Sequence, residues 1–324
     1  MTAVDSLLGP LAADELGVTY IHEHIFIVSP ELQWYWPGYA GWDEEEAIAR
    51  GARELSRIHD DYGCDTLVDV TVPGIGRNLR AVARAAAGTG LNVIAATGWY
   101  TYEDLPFVLS KKPAEEKIEL LADLFVGEAR DGIEGTGWRP GLIKCATDAP
   151  GVSADVEAVL RACARTHLHT GLPLTTHTHA ASAVGRDQQR IFREEGVALD
   201  RVIIGHSNEA ADLDYLAELM DAGSFVGFDR LGYPPPDQPG VAPAEQQLDN
   251  LAALIGRGYG DRLVVSHDDG VFSDVRSREV LGRTDKVYGY VEETALPGLR
   301  ERGVDEASIR ALLVDNPRRY FAGA

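Results

Sequence analysis

Gly17-Val18-Thr19-Tyr20-Ile21-His22-Glu23-His24-Ile25-Phe26-Ile27-Val28 sets two histidines, two positions apart, inside an apolar, β-branched run. That composition is one of a buried strand. Side chains alternate faces along a strand, so His22 and His24 point the same way, with their imidazoles close enough to hold one ion. Buried polar rings need a partner. A divalent metal supplies one, because imidazole is its commonest protein ligand and two same-face histidines make half of a tetrahedral shell. A pair of hydrogen-bonded core histidines is the alternative, and the rest of the chain decides between the two.

Working outward, seven more short apolar runs follow the first, Val18 to Ile27: Cys64 to Val70, Leu91 to Trp99, Gly141 to Ala146, Pro173 to His177, Arg201 to His206, Ser224 to Asp229 and Arg262 to Asp268. Between them, Glu44 to Asp61, Arg77 to Ala87, Ala114 to Asp131, Ser153 to His169, Val184 to Glu195, Asp212 to Asp221 and Ala244 to Gly258 carry helical apolar spacing. Val291 to Arg302 supplies an eighth helix after the last run. Glu306 to Leu313 adds one more, and with Asp315-Asn316-Pro317-Arg318-Arg319 is expected to close the bottom or edge. No Pro, Ser or Gly-rich linker divides the chain, so residues 1–324 are expected to form a single domain. Eight alternating strands and helices predict an α/β fold, the (β/α)8 TIM barrel, with its active site at the C-terminal ends of the strands. An open doubly wound sheet is the rival. It is weakened as a nucleotide binder because no Gly-x-Gly-x-x-Gly or Walker loop follows any run.

Composition narrows the function classes. The chain has 324 residues, 45% of them hydrophobic and 25% charged, an ordinary globular balance. Its formal net charge of -21 repels phosphate backbones and anionic lipid surfaces, so no nucleic acid or membrane partner is expected. The N-terminus lacks the basic region and apolar core of a signal peptide, and no apolar run reaches membrane-spanning length, from which a cytoplasmic location is expected. Cys64, Cys145 and Cys163 are odd in number and lack Cys-x-x-Cys spacing. They are expected in the core.

The chemistry emerges when only the C-terminal end of each run is read. His22 and His24 end the first, Lys144 lies in the fourth, His177 ends the fifth, His206 the sixth and Asp268 the eighth. Each alone has a plain packing explanation; together, at the rim where barrel chemistry occurs, they point to metal. Lys144 fits once burial lowers its pKa, because a neutral amine can take up carbon dioxide and become a bridging, anionic carbamate. Two divalent ions would then share the carbamate and a hydroxide nucleophile made from metal-acidified water. Asp268 is placed to accept the nucleophile's proton. Tyr100, after the third run, is a candidate to hydrogen-bond the hydroxide or leaving group, and Arg230, after the seventh, a substrate oxygen; their alternatives are pocket-wall packing and a surface salt bridge. Among the remaining candidates, His179 competes with His177, which is preferred because it continues the apolar run, and Asp269 competes with Asp268. His267 must point away from Asp268's side. His167 and His169 belong to a helix C-terminus capped by Gly171, His59 to a solvated helix face, and Asp43-Glu44-Glu45-Glu46 to a helix N-terminus. Ser207-Asn208-Glu209 is a candidate support for the rim.

Taken in order, His22-Glu23-His24, Lys144, Thr176-His177-Thr178, Ile204-Gly205-His206-Ser207, Ser266-His267-Asp268 and Asp315-Asn316-Pro317-Arg318 resemble the phosphotriesterase branch of the amidohydrolase superfamily over nearly the whole chain. The resemblance implies His22, His24 and Asp268 on one ion, His177 and His206 on the other, and carboxylated Lys144 bridging. The ions would be zinc first, with iron, cobalt or manganese also suited to these ligands. Thr97-Gly98-Trp99-Tyr100-Thr101-Tyr102, Asp104-Leu105-Pro106-Phe107 and Phe228-Asp229-Arg230 are more similar to the phosphotriesterase-like lactonases, since organophosphate hydrolases typically carry tryptophan where Tyr100 stands. The segment from Asp269 to Tyr288 departs from those lactonases in being shorter and more polar, which leaves acyl-chain preference open. The family also suggests a homodimer, for which Trp34-Tyr35-Trp36-Pro37 offers an aromatic surface or a pocket rim.

The expected activity is therefore metal-dependent opening of lactone rings, N-acyl-homoserine or related γ- and δ-lactones, with side activity on phosphotriesters and a role in quorum quenching. A phosphotriesterase or arylesterase is the second reading. A barrel that binds small molecules without turnover is the third, and metal content separates it from the other two.

Overall fold

Residues 3–233, 239–275 and 286–323 are described by a computed structural model. Eight parallel strands pair in sequence order: β3 (Thr19–Glu23), β5 (Thr66–Asp69), β6 (Asn92–Gly98), β7 (Leu142–Ala146), β8 (Leu174–His177), β9 (Val202–Ile204), β10 (Phe225–Phe228) and β11 (Leu263–Val265). Helices cross between successive strands, among them Glu44–Tyr62, Leu79–Ala86, Ala114–Asp131, Ala154–Thr170, Gly185–Glu194, Leu213–Asp221 and Ala244–Leu254. The architecture is the (β/α)8 barrel. Among the described residues no helix is long and apolar enough to cross a membrane.

Two layers of core follow from strand alternation. Tyr20, Leu67, Val93, Ile143, Leu174 and Val265 point outward and pack under the helices. Ile21, Val68, Ile94, Leu142, Ile203, Phe225 and Val264 point inward and fill the lower barrel. The floor is sealed by a hairpin the periodicity did not disclose and by the C-terminal segment expected to close it. A hairpin of β1 (Ala3–Ser6) and β2 (Gly9–Ala12) brings in Val4, and the turn after it brings in Ala13 and Leu16. From the other end, Asn316–Ala322 delivers Tyr320 and Phe321; the segment from Asp315 to Arg319 is thus helical and part of the closure.

The first run divides. After β3 the chain leaves the barrel and re-forms as β4 (Phe26–Ile27), paired with β12 (Phe272–Ser273). A short helix, Pro30–Tyr35, follows, and Trp34, Tyr35 and Trp36 are exposed. The loop from Asp269 toward Tyr288 is described only at its ends, residues 276–285 lying outside the described residues. All three cysteines are buried thiols. His167 and His169 occupy the last turn before Gly171, which takes the left-handed cap conformation. His59 is half-buried rather than solvated, its Nδ1 bonded to the Cys64 carbonyl at 2.8 Å. Asp43 caps its helix by accepting from the Glu46 N–H.

Candidate metal centre

A bulge aims the paired histidines. Tyr20 pairs with Leu67 but Glu23 with Asp69, so β3 carries one residue more than β5 over this span. Ile21 can therefore pack in the interior floor while His22 and His24 also face the axis, with Glu23 turned toward the seam. Gly98 is required where β6 meets β7: its φ is +124°, and a Cβ there would lie 2.0 Å from the Lys144 carbonyl oxygen.

Six side chains chosen from sequence meet at the rim. The Lys144 Nζ lies 2.8 Å from His22 Nε2. Asp268 Oδ1 stands 3.2 Å from His24 Nε2 and 3.8 Å from His22 Nε2, and its Oδ2 stands 3.9 Å from His206 Nε2. The His206 ring is 4.7 Å from that of His22 and 4.5 Å from that of His177, centre to centre. All are buried except Asp268, which is slightly open. The competitors lie apart from this cluster in their contacts. His179 bonds Ser182, Asp269 caps the Gly270 N–H, and His267 turns outward to Glu23.

The second nitrogen of each ring tests whether metal fits. Asp229, wholly buried, meets His22 Nδ1 and His206 Nδ1, each at 3.1 Å; Asp148 meets His177 Nε2 at 2.8 Å; the Thr71 hydroxyl meets His24 Nδ1 at 2.8 Å. An ionised carboxylate only accepts, so the nitrogens facing Asp229 and Asp148 carry the protons. The lone pairs of His22 Nε2, His206 Nε2 and His177 Nδ1 are left toward the shared space. That is the tautomer a metal needs, with the usual oxygen support behind it. Burial lowers the pKa of His22 and His206 and brings His177 to about 4, so the three rings are neutral, as ligands must be. Burial likewise lowers Lys144 to about 8. Against the effect of burial, the imidazoles around Asp229, and His206, His24 and Arg230 around Asp268, hold both carboxyls well below the usual range. Buried neutral donors and anionic oxygens suit divalent cations. Asp229, Asp148 and Thr71 escaped the sequence reading, because the signal for each is a ring in contact through space.

Tyr100 and Arg230 also reach the rim. The Tyr100 hydroxyl lies 3.2 Å from His177 Nδ1 and hydrogen-bonds the Tyr102 hydroxyl. Arg230 Nε pairs with Asp268 Oδ2 at 2.9 Å, its Nη1 is 3.5 Å from Glu209, and its guanidinium stacks 4.1 Å over the Tyr233 ring. This salt bridge is internal rather than at the surface. Asn208 accepts the Arg230 N–H and bonds Gln247, so two of the three residues after His206 support the arginine.

A family model described as the phosphotriesterase family matches residues 2–321. The chain belongs to the phosphotriesterase family. It is 40% identical to a phosphotriesterase homology protein of Mycobacterium tuberculosis, over 99% of this chain and 98% of that one. An aryldialkylphosphatase of Saccharolobus solfataricus is 33% identical over 96% and 97%. The solved structure of the phosphotriesterase from Mycobacterium tuberculosis superimposes with a TM-score of 0.90 over 98% of both chains, at 40% identity. Phosphotriesterase-family members are binuclear, metal-dependent hydrolases, and this chain is a metal-dependent hydrolase of that family.

Proposed function

We propose that this hydrolase opens lactone rings, N-acyl-homoserine or related γ- and δ-lactones, and turns over phosphotriesters as a side activity. The observation that carries the reading is the Tyr100 hydroxyl at 3.2 Å from His177, at the rim that also carries the Arg230–Asp268 pair. A phenol there offers a donor to a ring oxygen or carbonyl oxygen, which the indole ring of tryptophan cannot place in the same way. His22, His24 and Asp268 would hold one divalent ion, zinc in the first instance, His177 and His206 a second, and Lys144, as its carbamate, would join them. Bound there, the ions would acidify a water and polarise the substrate's carbonyl oxygen.

The chain's own groups do the rest. Asp229 and Asp148 keep three imidazoles in the liganding tautomer. Asp268, ionised and turned to the centre, takes the proton of the attacking water at a carboxylate oxygen. Arg230 holds Asp268 in place with its Nε and presents the rest of its guanidinium to a substrate oxygen. Tyr100 donates to the oxygen that leaves as the ring opens.

A second reading, phosphotriesterase as the main activity, is favoured by the aryldialkylphosphatase relative. A panel of acyl-homoserine lactones, simple lactones, phosphotriesters and aryl esters on metal-reconstituted protein separates the two. Higher kcat/KM on lactones supports the first, and higher kcat/KM on phosphotriesters replaces it with the second. The reading includes a cytoplasmic homodimer, whose mass light scattering would report.

A further inference from the structure

Glu23 stands between the two liganding histidines and faces away from them, wholly buried. Its Oε1 accepts from the Ser266 hydroxyl at 2.6 Å, the His267 N–H at 2.8 Å and His267 Nδ1 at 2.7 Å, and its Oε2 accepts from the Asp269 N–H at 3.0 Å. All four donors lie on the segment that leaves β11. This is the seam where the barrel must close, because β3 and β11 are the two ends of the hydrogen-bonded strand order. Elsewhere the strands are joined by parallel ladders. Here the joining is done by the Glu23 carboxylate, by the His22 N–H to Ser266 Oγ, and by two main-chain bonds, Asp268 N–H to His22 O and His24 N–H to Asp269 O.

Asp268 sits at the middle of that segment with φ of +51°, in the left-handed region that non-glycine residues seldom occupy. The N–H groups on either side of it, from His267 and Asp269, both end on Glu23, while its own ends on His22. The turn that aims the Asp268 carboxylate at the rim is therefore tied down on both flanks by a single side chain. His206, also left-handed at the rim with φ of +58°, is held by a carboxylate in a different way: Asp229 accepts its own N–H at 2.6 Å. Strain of this kind persists when the surroundings over-determine it.

We infer that Glu23 is a positioning residue for metal binding: its carboxylate clamps the main chain of His267 and Asp269 and so fixes Asp268 in the strained conformation that delivers its carboxylate to the metal. The inference rests on Asp268 as a ligand. The histidines of His22-Glu23-His24 then act on the centre directly, and the glutamate acts on it through the opposite strand.

The test is a double-mutant cycle on metal affinity. Apo-protein is prepared from wild type, Glu23→Gln, Asp268→Asn and the double variant, each checked for folding by circular dichroism, and cobalt(II) affinity is measured by chelator competition. Glu23→Gln keeps the volume but replaces one accepting oxygen with a donor, and a loss of about 10–100-fold in affinity is expected for a supporting group of this kind. The decisive feature is coupling. In the Asp268→Asn background the Glu23→Gln loss should shrink to little or nothing, because the clamp has no ligand left to deliver. Equal losses in both backgrounds, or wild-type affinity in folded Glu23→Gln, overturn the inference. Wild-type affinity in Asp268→Asn would instead remove Asp268 from the ligand set, a separate failure. Should Glu23→Gln not fold, Ser266→Ala removes one of the four donors and enters the same cycle: a smaller, coupled loss supports the clamp, and an uncoupled loss or none overturns it.

Discussion

The lower and upper halves of the barrel interior are built by the same eight strands and obey opposite rules. Below, Ile21, Val68, Ile94, Leu142, Ile203, Phe225 and Val264 fill space, and what matters is volume. Above, His22, Lys144, His177, His206 and Asp229 are as deeply buried, yet each makes a named hydrogen bond. A floor residue is held by many weak contacts and a rim residue by two or three directed ones. The difference teaches where stability and activity can be separated: changes in the floor should move stability, and changes in the rim should move metal and rate.

Lys144→Ala is the strongest test of that separation. It should lower kcat/KM on any substrate by about 10²-fold or more, the scale for a group that stabilises developing charge. The apo-protein should melt close to the wild-type temperature, since relief of a buried amine offsets the cavity and the lost hydrogen bonds that the truncation leaves. A matching collapse of melting temperature would blur the two halves. Asp229→Asn comes next. One carboxylate supports two rings, so metal affinity should fall by about 10–100-fold, measured by chelator competition, with the far-ultraviolet circular dichroism unchanged. Tyr100→Phe should leave metal content intact, measured by elemental analysis, and cost about tenfold in lactone kcat, the worth of one hydrogen bond. Ile94→Ala inverts the pattern: about 2–5 kcal/mol lost in denaturant unfolding of the apo-protein, with metal stoichiometry and kcat close to wild type at low temperature.

The two halves also differed in how legible they were. The floor and the helices around it were readable because strand runs such as Pro173 to His177 and helical stretches such as Ala114 to Asp131 announce themselves by composition and period, and both lie within a residue or two of the observed elements. The hairpin over Ala3–Ala12 was not, since its strands are four residues each and half-exposed. At the rim, the six ligand candidates were visible because each is a polar residue within or at the end of an apolar run. Their supports were not: Asp229 enters the sequence analysis only as the end of the seventh run and within Phe228-Asp229-Arg230, Glu23 only as the residue between His22 and His24, and Asp148 not at all. What each supports is a residue on another strand, and only the closed barrel shows it. The bulge in β3 was equally hidden, because it is defined by register against β5 rather than by anything local.

The most direct test of the account is to count what the rim holds in the active protein. After reconstitution with zinc in 13C-labelled bicarbonate, elemental analysis and carbon NMR should find two ions and one carbamate carbon per chain, both attributable to Lys144 because the carbon signal and the second ion disappear in Lys144→Ala. One ion or fewer in fully active protein, or a Lys144→Ala variant that keeps two ions and full rate, would contradict it.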